Sequence, residues 1–91
     1  MFENVSKPHE KVKTYRCPCC RYKTLYGRAG DEICPVCFWE DDGQDDHDAG
    51  EVRGGPNGSL SLLQARRNFA ACGASDPKDV PQVRHPLPDE L

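Results

Sequence analysis

The chain lacks a long apolar run: only 36% of its 91 residues are hydrophobic, and no stretch approaches the roughly 20 apolar residues a membrane helix needs. Its start, Met1-Phe2-Glu3-Asn4, carries an acid where a secretory signal has basic residues leading into an apolar segment. Neither export nor membrane insertion is expected, and the sequence reads as cytoplasmic. The final Pro88-Asp89-Glu90-Leu91 has no luminal-retention meaning without such a start. Histidine is scarce: His9, His47 and His85 lie in polar, irregular segments, and none keeps metal-knuckle spacing to a cysteine. No Ser/His/Asp or paired-carboxylate arrangement follows from the spacing, so an enzyme is not expected. No two prolines stand three apart, which removes a PxxP ligand.

What the chain does have is cysteine in pairs. Cys17-Pro18-Cys19-Cys20 and Cys34-Pro35-Val36-Cys37 place two Cys-x-x-Cys turns thirteen residues apart. Such a turn points two thiolates the same way, and two turns can converge on one tetrahedral metal at about 2.3 Å per sulfur. Cys17, Cys20, Cys34 and Cys37 are therefore the expected ligands and Zn2+ the expected metal. In a reducing compartment six cysteines favour metal thiolates over disulfides. A domain this short has little apolar surface to offset chain entropy, whereas structural zinc contributes roughly 10–16 kcal/mol of apparent binding free energy. The metal is expected to fold the chain. Four thiolates leave zinc no open position for water, which argues again against hydrolysis.

Charge is unevenly placed. Residues 1–29 hold seven Lys and Arg against Glu3 and Glu10, while residues 30–51 hold nine acids and no base. The net charge of −3 argues mildly against nucleic acid as the main partner. A protein with a basic patch fits better.

Along the chain, residues 1–12 read as a flexible arm. Residues 13–16 and 22–26 fit short strands into and out of the first knuckle, and residues 32–33 and 38–40 do the same for the second. The run Gly54-Gly55-Pro56-Asn57-Gly58 is a loop. Ser61-Leu62-Leu63-Gln64 has capping-box form, predicting a helix over about 62–72 with Leu62, Ala65, Phe69 and Cys72 on one face and Gly73 as its C-cap. Residues 76–91 hold Pro77, Pro81, Pro86 and Pro88, predicting an extended, irregular tail anchored by Val80, Val83 and Leu87. The expected fold is a small α+β metal-stabilised domain over 13–75: two zinc knuckles on short antiparallel hairpins, one C-terminal helix and the Pro-rich tail.

Several residues have a plain reading beside a functional one. Cys19 stands where the second knuckle has Val36; it reads as a knuckle-tip filler or as a reactive thiol beside Arg16 and Arg21. Cys72 reads as a small buried hydrophobe. Segment 40–51 fails the EF-hand pattern and reads as a solvated acidic loop. Trp39 reads as core or, with Glu40, Asp41, Asp42, Asp45 and Asp46, as part of a partner-binding face.

Two resemblances bear on these residues. The four-sulfur pattern, with Tyr22 two residues after Cys20, resembles the rubredoxin-like knuckles of iron electron carriers, which makes Fe the alternative metal. Those knuckles place glycine after the second cysteine, where this chain has Arg21 and Phe38. More broadly, Cys17-Pro18-Cys19-Cys20, the run from Ile33 to Asp42, Gly54-Gly55-Pro56-Asn57, Ala65-Arg66-Arg67-Asn68-Phe69 and Val83-Arg84-His85-Pro86-Leu87-Pro88 resemble the bacterial cysteine-rich CPCC family. The resemblance implies a small cytoplasmic metal-binding protein, and such proteins are suspected partners or immunity factors of bacterial toxins. The expected function is a non-catalytic zinc-binding interaction or regulatory module. A nucleic-acid-binding zinc ribbon using Lys11, Lys13, Arg16, Arg21, Lys23 and Arg28 is second, and an iron electron carrier or thiol redox sensor is third.

Overall fold

In the computed structural model, residues 13–91 are described; the expected N-terminal arm lies outside them. Strand β1 (Tyr15–Arg16) pairs antiparallel with β2 (Lys23–Leu25), Tyr15 opposite Leu25 and Arg16 opposite Lys23, with an irregularity between them. The first Cys-x-x-Cys turn forms the tip of this hairpin. The second turn is flanked by a single antiparallel bridge, Ile33 to Glu40, so the expected second hairpin is reduced to its shortest form.

Helix α1 (Leu62–Cys72) runs over the span its apolar spacing predicts. Ser61 Oγ accepts from the Gln64 amide at 3.0 Å, while the Gln64 side chain turns outward to Asn68 instead of back to the cap. Only half of the capping box forms. At the other end Gly73 takes φ 85°, the left-handed conformation glycine adopts without steric cost, and its amide returns to Phe69 O. Leu62 and Ala65 are fully buried, and Phe69 packs against the core with its ring edge-to-face on Tyr22. Cys72 is exposed, contrary to its buried reading: the apolar stripe runs out one turn before the helix does.

The core is built around sulfur. Five of the six cysteines are buried in one cluster with Leu25, Val36, Trp39, Ala49, Leu62 and Ala65. So few large aliphatic groups bury little apolar area, consistent with the low hydrophobic fraction.

The proline-rich end is not an extended tail. It forms 3-10 turns at Pro77–Gln82 and Pro88–Glu90, and its anchors are polar. Of the expected apolar anchors Val83 is partly buried and Val80 and Leu87 are exposed, whereas the Glu90 carboxylate is fully buried between the Arg84 guanidinium, at 2.8 and 2.9 Å, and the Lys13 ammonium, at 2.7 Å. Glu90 also accepts from the Leu87 amide at 2.8 Å. Prolines remove backbone donors and preset φ, and this segment uses that economy to bring one carboxylate onto two cations.

Candidate metal centre

Each knuckle closes on itself with the same two bonds. Cys17 N donates to Tyr22 O at 2.9 Å and Arg21 N to Cys17 O at 2.8 Å; Cys34 N donates to Trp39 O at 2.9 Å and Phe38 N to Cys34 O at 2.8 Å. The residue after each second cysteine is left-handed, Arg21 at φ 72° and Phe38 at φ 70°. The rubredoxin-type glycine is thus absent in sequence while its backbone conformation persists twice. A side chain there costs about 1–2 kcal/mol, and it is held by the turn's own hydrogen bonds.

The two turns face one another. Sγ atoms of Cys17, Cys20, Cys34 and Cys37 all lie within 4.8 Å of one another, with Cys17 to Cys37 at 3.5 Å and Cys20 to Cys34 at 3.7 Å. Tetrahedral bonds of about 2.3 Å require sulfurs about 3.8 Å apart. The set therefore fits a metal ion. Three of the four residues are completely buried and Cys20 is 7% exposed, so the thiolates would close around the ion and leave it no solvent-facing side. Among the thiols themselves, hydrogen bonding from Cys17, Cys20 and Cys37 pulls Cys34 below the ordinary thiol range, while donation to neighbours, to Cys17 first, pushes Cys20 and Cys37 above it. Crowded thiols cannot all ionise unaided, and a divalent cation reverses that logic by stabilising every thiolate at once.

Two partners of Cys34 come from outside the ligand set. Thr24 Oγ1, buried on β2, lies 3.0 Å from its sulfur, and the Val36 amide donates at 3.4 Å. Neither Thr24 nor Glu90 was singled out by sequence reasoning; a threonine in a strand run and a terminal glutamate carry no local signal.

Cys19 lies in the same buried cluster and is only 4% exposed, so its thiol does not face solvent. His47 and His85 are exposed and belong to no group of potential ligands among the described residues; His9 lies outside them. No second cluster of metal-ligating side chains occurs among the described residues.

The acidic segment is not a solvated loop. Asp41 is fully buried and accepts from Arg28 Nε at 2.8 Å, from the Ala29 amide at 2.7 Å and from the Gly43 amide at 3.2 Å. Arg28 also reaches Asp45 at 2.7 Å; the carboxylates, Asp41 first, raise its pKa, and Arg28 in turn lowers that of Asp45. Asp46 takes Arg66 at 2.7 Å and Arg21 at 3.0 Å, which lower its pKa, and Asp48 pairs with Arg53 while accepting from the Asp45 amide at 2.8 Å. Gln44, buried and unmarked by sequence, donates to Asp48 O at 3.0 Å and Glu51 O at 2.8 Å. Charges separated along the sequence are thus paired within the fold. Trp39 is fully buried, so it and Asp41 belong to the core and not to a contact face. Of the proposed contact residues, Glu40, Asp42 and Asp45 are partly exposed and Asp46 is exposed, and both Asp45 and Asp46 are committed to arginines.

The same pairing occupies three cations of the nucleic-acid reading, Lys13 with Glu90, Arg21 with Asp46 and Arg28 with Asp41, while Lys11 lies outside the described residues. Arg16 donates to Arg21 O at 2.6 Å and Leu91 O at 3.2 Å. No helix among the described residues is long and apolar enough to cross a membrane.

Comparison with curated proteins and with solved structures finds no match. Residues 15–90 match the family described as Cysteine-rich CPCC. That span holds both knuckles, helix α1 and the Glu90 anchor, and the chain belongs to the cysteine-rich CPCC family.

Proposed function

We propose that this protein is a non-catalytic zinc-binding module whose metal is structural and whose surface engages a protein partner. The observation that carries it is the closed, buried set of Cys17, Cys20, Cys34 and Cys37 sulfurs at tetrahedral spacing. A site with four protein thiolates supplies folding energy and offers no coordination position to a substrate. We extend this reading to a zinc-ribbon-like arrangement, in which two equivalent turns would share one ion and helix α1 packs into the same core through Leu62 and Ala65.

The partner-facing element contracts to the side where Ile33, Phe38, Glu40 and Leu60 line a groove of about 290 Å³ beside Asp76 and Asp79. Within segment 40–42, Asp41 is held by Arg28 and Asp42 accepts the Gln44 amide with its other oxygen buried, so Glu40 is the carboxylate that reaches the groove. A toxin-immunity partnership is one form such an interaction takes. The test is affinity capture with the wild type and Glu40→Lys: a reproducible protein partner lost from the variant supports the reading, and nucleic acid recovered without protein contradicts it.

Iron is the second reading, favoured by the left-handed Arg21 and Phe38 that reproduce a rubredoxin-type backbone. Colour separates the two. A red protein means iron; a colourless one with a single zinc by native mass spectrometry removes electron transfer.

A further inference from the structure

The four sulfurs are not equivalent in what surrounds them. Cys34 receives the Thr24 hydroxyl and the Val36 amide, at 3.0 and 3.4 Å. Thr24 belongs to β2 of the first hairpin, so its hydroxyl crosses to the cysteine of the opposite knuckle. Its one hydrogen has two possible acceptors, Cys34 Sγ at 3.0 Å and Tyr22 O at 3.5 Å. The shorter contact takes it, because 3.5 Å is too long for an effective O–H bond to a carbonyl. A metal-bound thiolate has no hydrogen of its own, which makes the hydroxyl the donor of this contact. Thr24 is 3% exposed, so water does not compete for that bond.

We propose that Thr24 is a positioning residue of the metal centre, donating to Cys34 Sγ so that this sulfur is the last of the four to leave the metal. Outer hydrogen bonds fix ligand orientation and draw charge from the ligand atom, and their loss typically costs about 10–100-fold in metal affinity. A thiolate holding two such bonds is oriented and less nucleophilic toward competitors. Release should therefore begin at the other three sulfurs and end at Cys34. The inference rests on the metal-binding reading above and concerns how the ion is held, not whether it is held.

The experiment uses the full zinc-loaded chain as wild type, Thr24→Val, which keeps the volume and removes the hydroxyl, and Thr24→Ser, which does the reverse. Zinc transfer to a chromophoric chelator is timed, and iodoacetamide labelling of each cysteine during release is mapped by peptide mass spectrometry. Thr24→Val should release zinc about tenfold faster and lose the late labelling of Cys34, while Thr24→Ser stays within about threefold of the wild type and keeps the order. Equal rates and labelling order in wild type and Thr24→Val overturn the inference, as does a defect confined to Thr24→Ser, which assigns the residue to packing. Should Thr24→Val not fold, Thr24→Ser decides: a retained order supports the proposal and a lost one overturns it. A wild type that binds no zinc overturns the metal reading and this inference with it; a wild type that binds zinc with unchanged Thr24→Val kinetics overturns Thr24 alone.

Discussion

The two knuckles share a backbone and differ in what holds them. The first sits on a hairpin whose β1 residues, Tyr15 and Arg16, are exposed, and its turn is tied from elsewhere mainly by Arg66 Nε, which donates to Pro18 O at 2.8 Å. Around the second knuckle, distant segments converge: Ser75 N donates to Cys37 O at 2.7 Å, Arg84 N to Pro35 O at 3.1 Å, and Thr24 reaches the Cys34 sulfur. Asn57 adds a paired bond to the Glu40 backbone, accepting its amide at 3.2 Å and donating to its carbonyl at 2.8 Å, so a side chain replaces the missing strand partner. The first knuckle is held to distant segments through side chains, and the second also through backbone bonds from Ser75 and Arg84.

Breaking the sulfur set should have the largest effect. Cys34→Ser should abolish stoichiometric zinc and cost most of the fold, because folding and metal binding are one equilibrium. Cys19→Val, which copies the tip residue of the second knuckle, should keep one zinc and shift stability by less than about 1.5 kcal/mol; native mass spectrometry with thermal unfolding reads both.

Next comes the Glu90 anchor, which joins Arg84 beside the second knuckle to Lys13 before the first hairpin. Glu90→Gln leaves the Arg84 and Lys13 charges without their carboxylate and should destabilise by about 2 kcal/mol, the partners being partly solvated. Arg84 first, and then the Leu87 amide and Lys13, hold Glu90 down from 4.5 to about 2. Its folded pKa is depressed, so its contribution is complete above about 4.5 and is lost only as pH falls toward about 2. The stability gap between wild type and Glu90→Gln should therefore be flat from about pH 5 to 9; a gap that closes near neutrality contradicts the assignment.

A smaller loss is expected from Asn57→Ala, about 1 kcal/mol for the two Glu40 backbone bonds, with faster amide exchange at Glu40. Smallest is Arg21→Gly. It relieves the left-handed residue of the first knuckle but loosens the unfolded chain and removes an exposed pair with Asp46, so its net change in urea unfolding should stay within about 1 kcal/mol.

What the sequence made legible divides by separation along the chain. The helix from its Ser61 cap to Gly73 and the first hairpin were readable because each rests on residues a few positions apart, and the ligand set because each Cys-x-x-Cys pair is itself a local signal. The fate of the acidic run was not, since Asp41 and Asp46 find Arg28 and Arg66 across 13 and 20 residues, which no local pattern reports. Glu90 was hidden for the same reason, reaching Lys13 across 77 residues. Arg21 and Phe38 misled differently: glycine is the usual sign of a left-handed turn, yet here the hydrogen bonds of the knuckle impose that conformation on other side chains.

The central claim is that one metal bound by Cys17, Cys20, Cys34 and Cys37 folds this chain. Native mass spectrometry and circular dichroism before and after chelation, in reducing buffer, test it directly. The account predicts one zinc per chain and loss of ordered structure when zinc is stripped, recovered on adding it back. A chain that purifies without metal and gives the same spectrum and thermal transition with or without zinc would contradict it.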